Sequence, residues 1–140
     1  SPDPALERAL ARLSGRKIVF TNGPTDHARR VMDRLAVGHH FEAVFDIVEA
    51  DYVPKPQPEA YAALVRRHRL TPENTVMVED IARNLRPAAA LGMTTVWIRP
   101  ADAGQGIKSG GAADGDAAGI DHVTDDLAGW LTALTGGARD

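Results

Sequence analysis

The stretch TVMVEDIARNL, residues 75–85, decides the reading of this chain. Its first five residues are rich in β-branched side chains and predict a short buried strand over 75–79. Two carboxylates close that strand, Glu79 and Asp80, and a helix is expected over 82–91, stopped by Gly92. TTVWI (94–98) then predicts a second strand. Strand, helix, strand within so few residues is the mark of a parallel βαβ unit.

The same rhythm runs upstream. Ala5, Leu6, Ala9, Leu10 and Leu13 recur at helical spacing, and Gly15 ends the pattern. KIVF (17–20) predicts a strand that opens into TNGPTD, followed by a helix from Thr25 with Ala28, Val31, Met32 and Leu35 on one face and Gly38 as its C-terminal cap. FDIV (45–48) predicts another strand. Pro58 suits the first turn of a helix whose inner face is Tyr61, Leu64 and Val65. Downstream, residues 101–119 are dominated by glycine and alanine and predict a mobile loop. DHVT and a helix presenting Leu127, Trp130, Leu131 and Leu134 close the chain. The fold class expected is α/β, a three-layer Rossmann-like parallel sheet.

Composition narrows the function without choosing it. The 140 residues fit one domain, 44% hydrophobic and 25% charged, with a net charge of −3. That balance gives no reason to expect nucleic acid or an anionic membrane as a partner. The basic run Arg66-Arg67-His68-Arg69 falls at a helix end, where it complements the helix dipole. There is no cysteine, hence no disulfide, thiolate nucleophile or cysteine-ligated zinc, and a cytoplasmic setting is expected. His39-His40 is expected to be a surface turn with diverging side chains.

In open parallel sheets, ligands gather outside the C-terminal ends of the strands. There the chain places Thr21 and Asn22, then Lys55 framed by prolines in VPKPQPEAY (53–61), then Glu79 and Asp80, with Asn84 four residues on. Arginine occurs thirteen times and lysine three, so a compact ammonium at residue 55 stands out. A hydroxyl, an ammonium and a carboxylate together suit a metal-associated phosphoryl group. Singly, each has a plainer role: a strand-to-helix turn for Thr21 and Asn22, a helix N-cap for Asp80, a solvated cation for Lys55.

IVFTNG, KPQPEAY and VEDIARNL, in this order, resemble motifs II, III and IV of the haloacid dehalogenase superfamily, and most of all its pyrimidine 5′-nucleotidase-like phosphatases. The resemblance spans residues 17 to about 98 and implies a Mg2+-dependent phosphomonoester hydrolase acting on a small phosphorylated substrate through an aspartyl-phosphate. It implies that Thr21, with Asn22 and Gly23, binds the phosphoryl group, that Lys55 neutralises charge, that Asp80 ligates Mg2+, and that Glu79 and Asn84 support them. One part is missing. The family's nucleophile sits in an Asp-x-Asp pair after an apolar strand, whereas Asp114-Gly115-Asp116, in the glycine–alanine loop, is the sole such pair here. The expectation is therefore the C-terminal part of such a core, lacking the nucleophile strand and the helical cap, both supplied by an N-terminal segment of the same protein. Without that strand, those at 17–20 and 75–79 would flank a gap with unpaired backbone groups. The competing expectation is a non-catalytic module that binds phosphate or a protein partner.

Overall fold

The computed structural model describes residues 1–100 and 119–135. Residues 101–118 of the expected loop, Asp114-Gly115-Asp116 among them, lie outside the described residues. Among the described residues all strand pairs are parallel, as expected of an α/β chain, and they form two sheets, one of two strands and one of three. The chain divides into two compact units: Ser1–Tyr52 with the residues from Asp126 onward, and Val53–Asp125.

In the first unit, α1 (Pro4–Arg12) starts at Asp3, whose carboxylate accepts the Leu6 N–H at 3.1 Å, with proline in the first turn. β1 (Ile18–Phe20) pairs with β2 (Ala43–Phe45) in register Ile18–Ala43 through Phe20–Phe45, with α2 (Thr25–Leu35) between them in sequence. The left-handed cap comes two residues earlier than Gly38 would dictate. Ala36 takes the left-handed conformation at φ 61°, and the Val37 N–H returns to the Met32 carbonyl. Val37 is buried, and the chain has to turn before it to bring it inward. Gly38 instead opens a single 3-10 turn, Gly38–His40.

Ala9, Leu10, Met32, Val37 and Leu131 form the core of this unit, with Trp130, Leu127, Phe41 and Val44 packed against it. Leu131 and Trp130 come from the last helix, α5 (Leu127–Leu134), which packs on α1. Leu134, expected on the inner face, is the last residue of the helix and is 55% exposed.

The second unit holds α3 (Pro58–His68), β3 (Val76–Glu79), α4 (Arg86–Ala90), β4 (Thr94–Ile98) and β5 (His122–Thr124), with sheet order β3-β4-β5. The helix expected over 82–91 is a 3-10 turn, Ala82–Leu85, followed by α4. Pro87 has no N–H to give back to residue 83, so one continuous helix cannot run through it. The central strand β4 is buried at Thr95 and Val96. Its Thr95 pins the chain where it returns at Gly119–Asp121: the hydroxyl donates to the Gly119 carbonyl at 2.6 Å and the N–H to the Asp121 carboxylate at 3.0 Å.

Among the described residues β1 pairs only with β2, and β3 only with β4. Among the described residues β1 and β3 therefore each keep one edge without ladder bonds. On β3 the alternate residues Val76 and Val78 are exposed, while Met77 and Glu79 are buried. Among the described residues no helix is long and apolar enough to cross a membrane.

Candidate functional site

The alternation of β3 carries Glu79 to its buried side, leaving only 7% of the side chain exposed. A carboxylate so placed needs a countercharge, because desolvation penalises the ionised form. Lys55 supplies it. Its Nζ donates to Glu79 Oε1 at 2.8 Å, with 9% of the lysine side chain exposed. The second oxygen of Glu79 accepts the Ile81 N–H at 3.2 Å, which ties the strand end to the following turn. The Lys55–Pro56 peptide bond is cis, and Pro58 sits in the first turn of α3. Lys55 is therefore no solvated surface cation, and Glu79, expected only to support the site, is its direct partner.

Asp80 is placed otherwise. Its backbone carbonyl accepts the Trp97 indole N–H at 3.1 Å, which fixes the turn, while the residue itself is exposed. No hydrogen bond or ion pair among the described residues holds its carboxylate, and the side chain caps no helix. Asn84 is buried one turn on, and its backbone carbonyl accepts the Tyr61 hydroxyl. Burial, with the Glu79 charge adding to it, pushes the Tyr61 phenol well above the ordinary tyrosine range. Lys55, Glu79, Asp80 and Asn84 thus all belong to the second unit, and the first two touch.

Thr21, Asn22 and Gly23 belong to the first unit, at the C-terminal end of β1. Thr21 Oγ1 accepts the Gly23 N–H at 3.0 Å, closing a tight turn, and the Thr21 N–H is held by the Phe45 carbonyl at 3.1 Å. Thr21 is half-buried and Asn22 exposed.

Sequence reasoning missed one member of this turn, Asp46. Residues 45–48 are not a strand: β2 stops at Phe45, and Asp46 folds back to accept four hydrogen bonds. They come from the Thr25 N–H at 3.1 Å, the Thr25 hydroxyl at 2.7 Å, the Val48 N–H at 3.1 Å and the Glu49 N–H at 3.0 Å. These donors, the Thr25 hydroxyl first, hold the buried carboxyl below the ordinary aspartate range. A signal for it existed. The residue before Thr25 is Pro24, which has no side chain able to cap α2, so a cap from elsewhere was needed.

Chemically, the second unit offers a buried ammonium bound to a carboxylate and, next in sequence, an open carboxylate suited to a hard cation. The first unit offers a hydroxyl and backbone N–H groups at a strand-to-helix turn.

Solved structures with this fold include a haloacid dehalogenase phosphatase from Thermococcus onnurineus, with 22% identity and a TM-score of 0.69 over 96% of this chain and 56% of that one. A hydrolase of the same family from Deinococcus radiodurans R1, solved with bound phosphate and sodium, gives 20%, 0.70, 96% and 58%. An L-2-haloacid dehalogenase from Xanthobacter autotrophicus gives 21%, 0.66, 94% and 58%. At such identities the likeness is one of fold, a Rossmann-like α/β core. The chain spans between 51% and 60% of the length of eight such structures. The haloacid dehalogenase-like hydrolase family matches residues 1–92, about two thirds of the sequence, and the chain belongs to that family.

Proposed function

We propose that the complete protein is a Mg2+-dependent phosphomonoester hydrolase of the pyrimidine 5′-nucleotidase-like kind, cytoplasmic, and active on a small phosphorylated substrate. In this reading an aspartate passes the phosphoryl group to water through an aspartyl-phosphate. That aspartate and the cap belong to a segment of the same protein outside this chain, so the chain alone turns nothing over. The observation that carries the proposal is the buried Lys55–Glu79 pair followed at once by the uncommitted, exposed carboxylate of Asp80.

That donor set fits Mg2+. The ion usually takes one or two carboxylates and fills its remaining positions with water and substrate phosphate. Both oxygens of Glu79 are engaged, which leaves Asp80 as the ligand this unit supplies. When bound, the ion neutralises phosphate oxygens as a Lewis acid. Lys55, fixed by Glu79, adds a positive charge that needs no reorganisation. Thr21, Asn22 and Gly23 keep the role implied for them, donating to phosphate oxygens. Asn84, buried and fixed through Tyr61, holds the turn after β3.

Dehalogenation is the second reading, since L-2-haloacid dehalogenases share the fold. A 2-haloacid is itself an anion, and the open Asp80 carboxylate repels it unless a cation stands between them. A metal-associated phosphate brings that cation, which favours the phosphatase.

The test is a pair of assays. The complete protein, given p-nitrophenyl phosphate, nucleoside monophosphates and 2-chloropropionate, is expected to release phosphate, to stop on chelation, and to release no chloride. Chloride release without phosphate release overturns the reading, and neither product returns the non-catalytic module. On this chain alone, Mg2+ is expected to shift the amide resonances at Asp80–Ala82, and Asp80→Asn to weaken binding by about tenfold or more. Resonances that stay put with millimolar Mg2+ remove the metal assignment.

A further inference from the structure

His39 and His40 do not diverge. Both rings, carried by the 3-10 turn after α2, point Nε2 at a single oxygen, Glu7 Oε2, at 3.3 and 3.0 Å. Their ring centroids are 4.1 Å apart, with planes tilted by 39°. Glu7 projects from α1, more than thirty residues earlier in the chain. No spacing rule for metal ligands would have linked it to the histidine pair. All three residues belong to the first unit, and the side chains are 35%, 65% and 13% exposed for Glu7, His39 and His40.

The convergence puts two imidazole nitrogens and a carboxylate oxygen, three potential metal ligands, at one point. One potential ligand atom from each residue lies within 4.8 Å of the others. Tetrahedral Zn2+, bound at its usual distances, sets donor atoms roughly 3.3 Å apart. The two nitrogen–oxygen separations already lie at 3.3 and 3.0 Å. His39, 65% exposed, leaves the cluster open to solvent, so a hydrated ion can reach it.

We infer that Glu7, His39 and His40 form a binding site for a divalent transition-metal ion of the Zn2+ class, with water completing the coordination. The ion clips α1 to the turn that follows α2. Two imidazoles favour Zn2+, Co2+, Ni2+ or Cu2+ over Mg2+, which separates this site from an all-oxygen one. The clip joins two elements that the core already holds together, so the ion reinforces the unit and no chemistry is assigned to it.

The probe is Zn2+ itself, titrated into chelator-treated protein and followed by calorimetry and by the imidazole resonances of all five histidines. One ion per chain is expected, with the His39 and His40 resonances moving first and Tm rising with Zn2+ concentration. Excess Mg2+ leaves these signals in place. Glu7→Gln and His40→Gln each weaken the site by about tenfold or more, whereas Asp80→Asn leaves it unchanged. His39→Gln, at the most exposed of the three, guards against loss through misfolding and is also expected to weaken binding. Unchanged Zn2+ affinity in the three site variants, or first movement at His27, His68 or His122, overturns the inference.

Discussion

Replacing Lys55 with methionine keeps most of the side-chain volume and removes the charge together with its hydrogen bond to Glu79. At 2.8 Å the two unit charges attract by about 6 kcal/mol at an effective dielectric near 20, before the desolvation of both is subtracted. With 9% and 7% of the side chains exposed, that desolvation is nearly complete. Removing one partner leaves the other buried and uncompensated, at a cost of about 3–5 kcal/mol. Lys55→Met is therefore expected to lose that amount, a large share of a typical total of about 5–15 kcal/mol. Glu79→Gln keeps one acceptor for either Lys55 or the Ile81 N–H but not both, and should lose less, about 1.5–3 kcal/mol. The double variant Lys55→Met, Glu79→Leu buries no charge and is expected to recover most of the loss. Urea unfolding followed through Trp97 fluorescence, in a Trp130→Phe background, reads the unit that holds the pair. A loss below about 1 kcal/mol for Lys55→Met, the value of a surface ion pair, would refute the argument. So would a double variant as unstable as the two singles combined.

Asp46→Ala strands the Thr25, Val48 and Glu49 N–H groups and should cost about 2–4 kcal/mol in thermal or urea unfolding; a change within experimental scatter would show that water takes over those donors. Because the Asp46 carboxyl is held below its unfolded value, its contribution is complete above the ordinary aspartate pKa of about 3.9 and is lost as pH falls through the folded value. Stability of Asp46→Asn should therefore fall less steeply with acid than that of the parent, and parallel curves would contradict the linkage. Tyr61 carries the opposite sign: its phenol is raised, so above the ordinary pKa of about 10 the unfolded chain ionises first and stability drops with rising pH. Alkaline absorbance titration should show one tyrosine ionising late or only on unfolding, and Tyr61→Phe should remove that step.

Strands β1, β3 and β4 were legible because IVF, VMVE and TTVWI are β-branched runs bounded by turn residues. The α/β class followed from their alternation with helices. What escaped was decided by tertiary partners. Asp46 reads as the second residue of a strand until the Val48 and Glu49 N–H groups that bond to it are in view. Gly38 is a better helix stop than Ala36 by local preference, yet the buried Val37 moves the turn two residues earlier. Lys55 was recognisable as unusual among so many arginines, but its burial against Glu79 depends on which side of β3 is covered. The histidine pair sits in a turn as expected, but its rings converge instead of diverging, because Glu7 from another helix stands within reach of both.

The first unit is discontinuous in the chain, and that has a consequence for how it is made. Leu6, Ala9 and Leu10 leave the ribosome among the first residues of this sequence, but Leu127, Trp130 and Leu131, which cover them, come after all of residues 53–125. At roughly 5–20 residues per second, the amphipathic α1 waits several seconds for its partner helix. During that interval its apolar stripe is open to chaperones and to other nascent chains, while the second unit, contiguous in sequence, is free to fold as it emerges. Placing α5 directly ahead of α1 by permuting this sequence would abolish the wait and should raise the yield of correctly folded protein from rapid synthesis, with the final core unchanged.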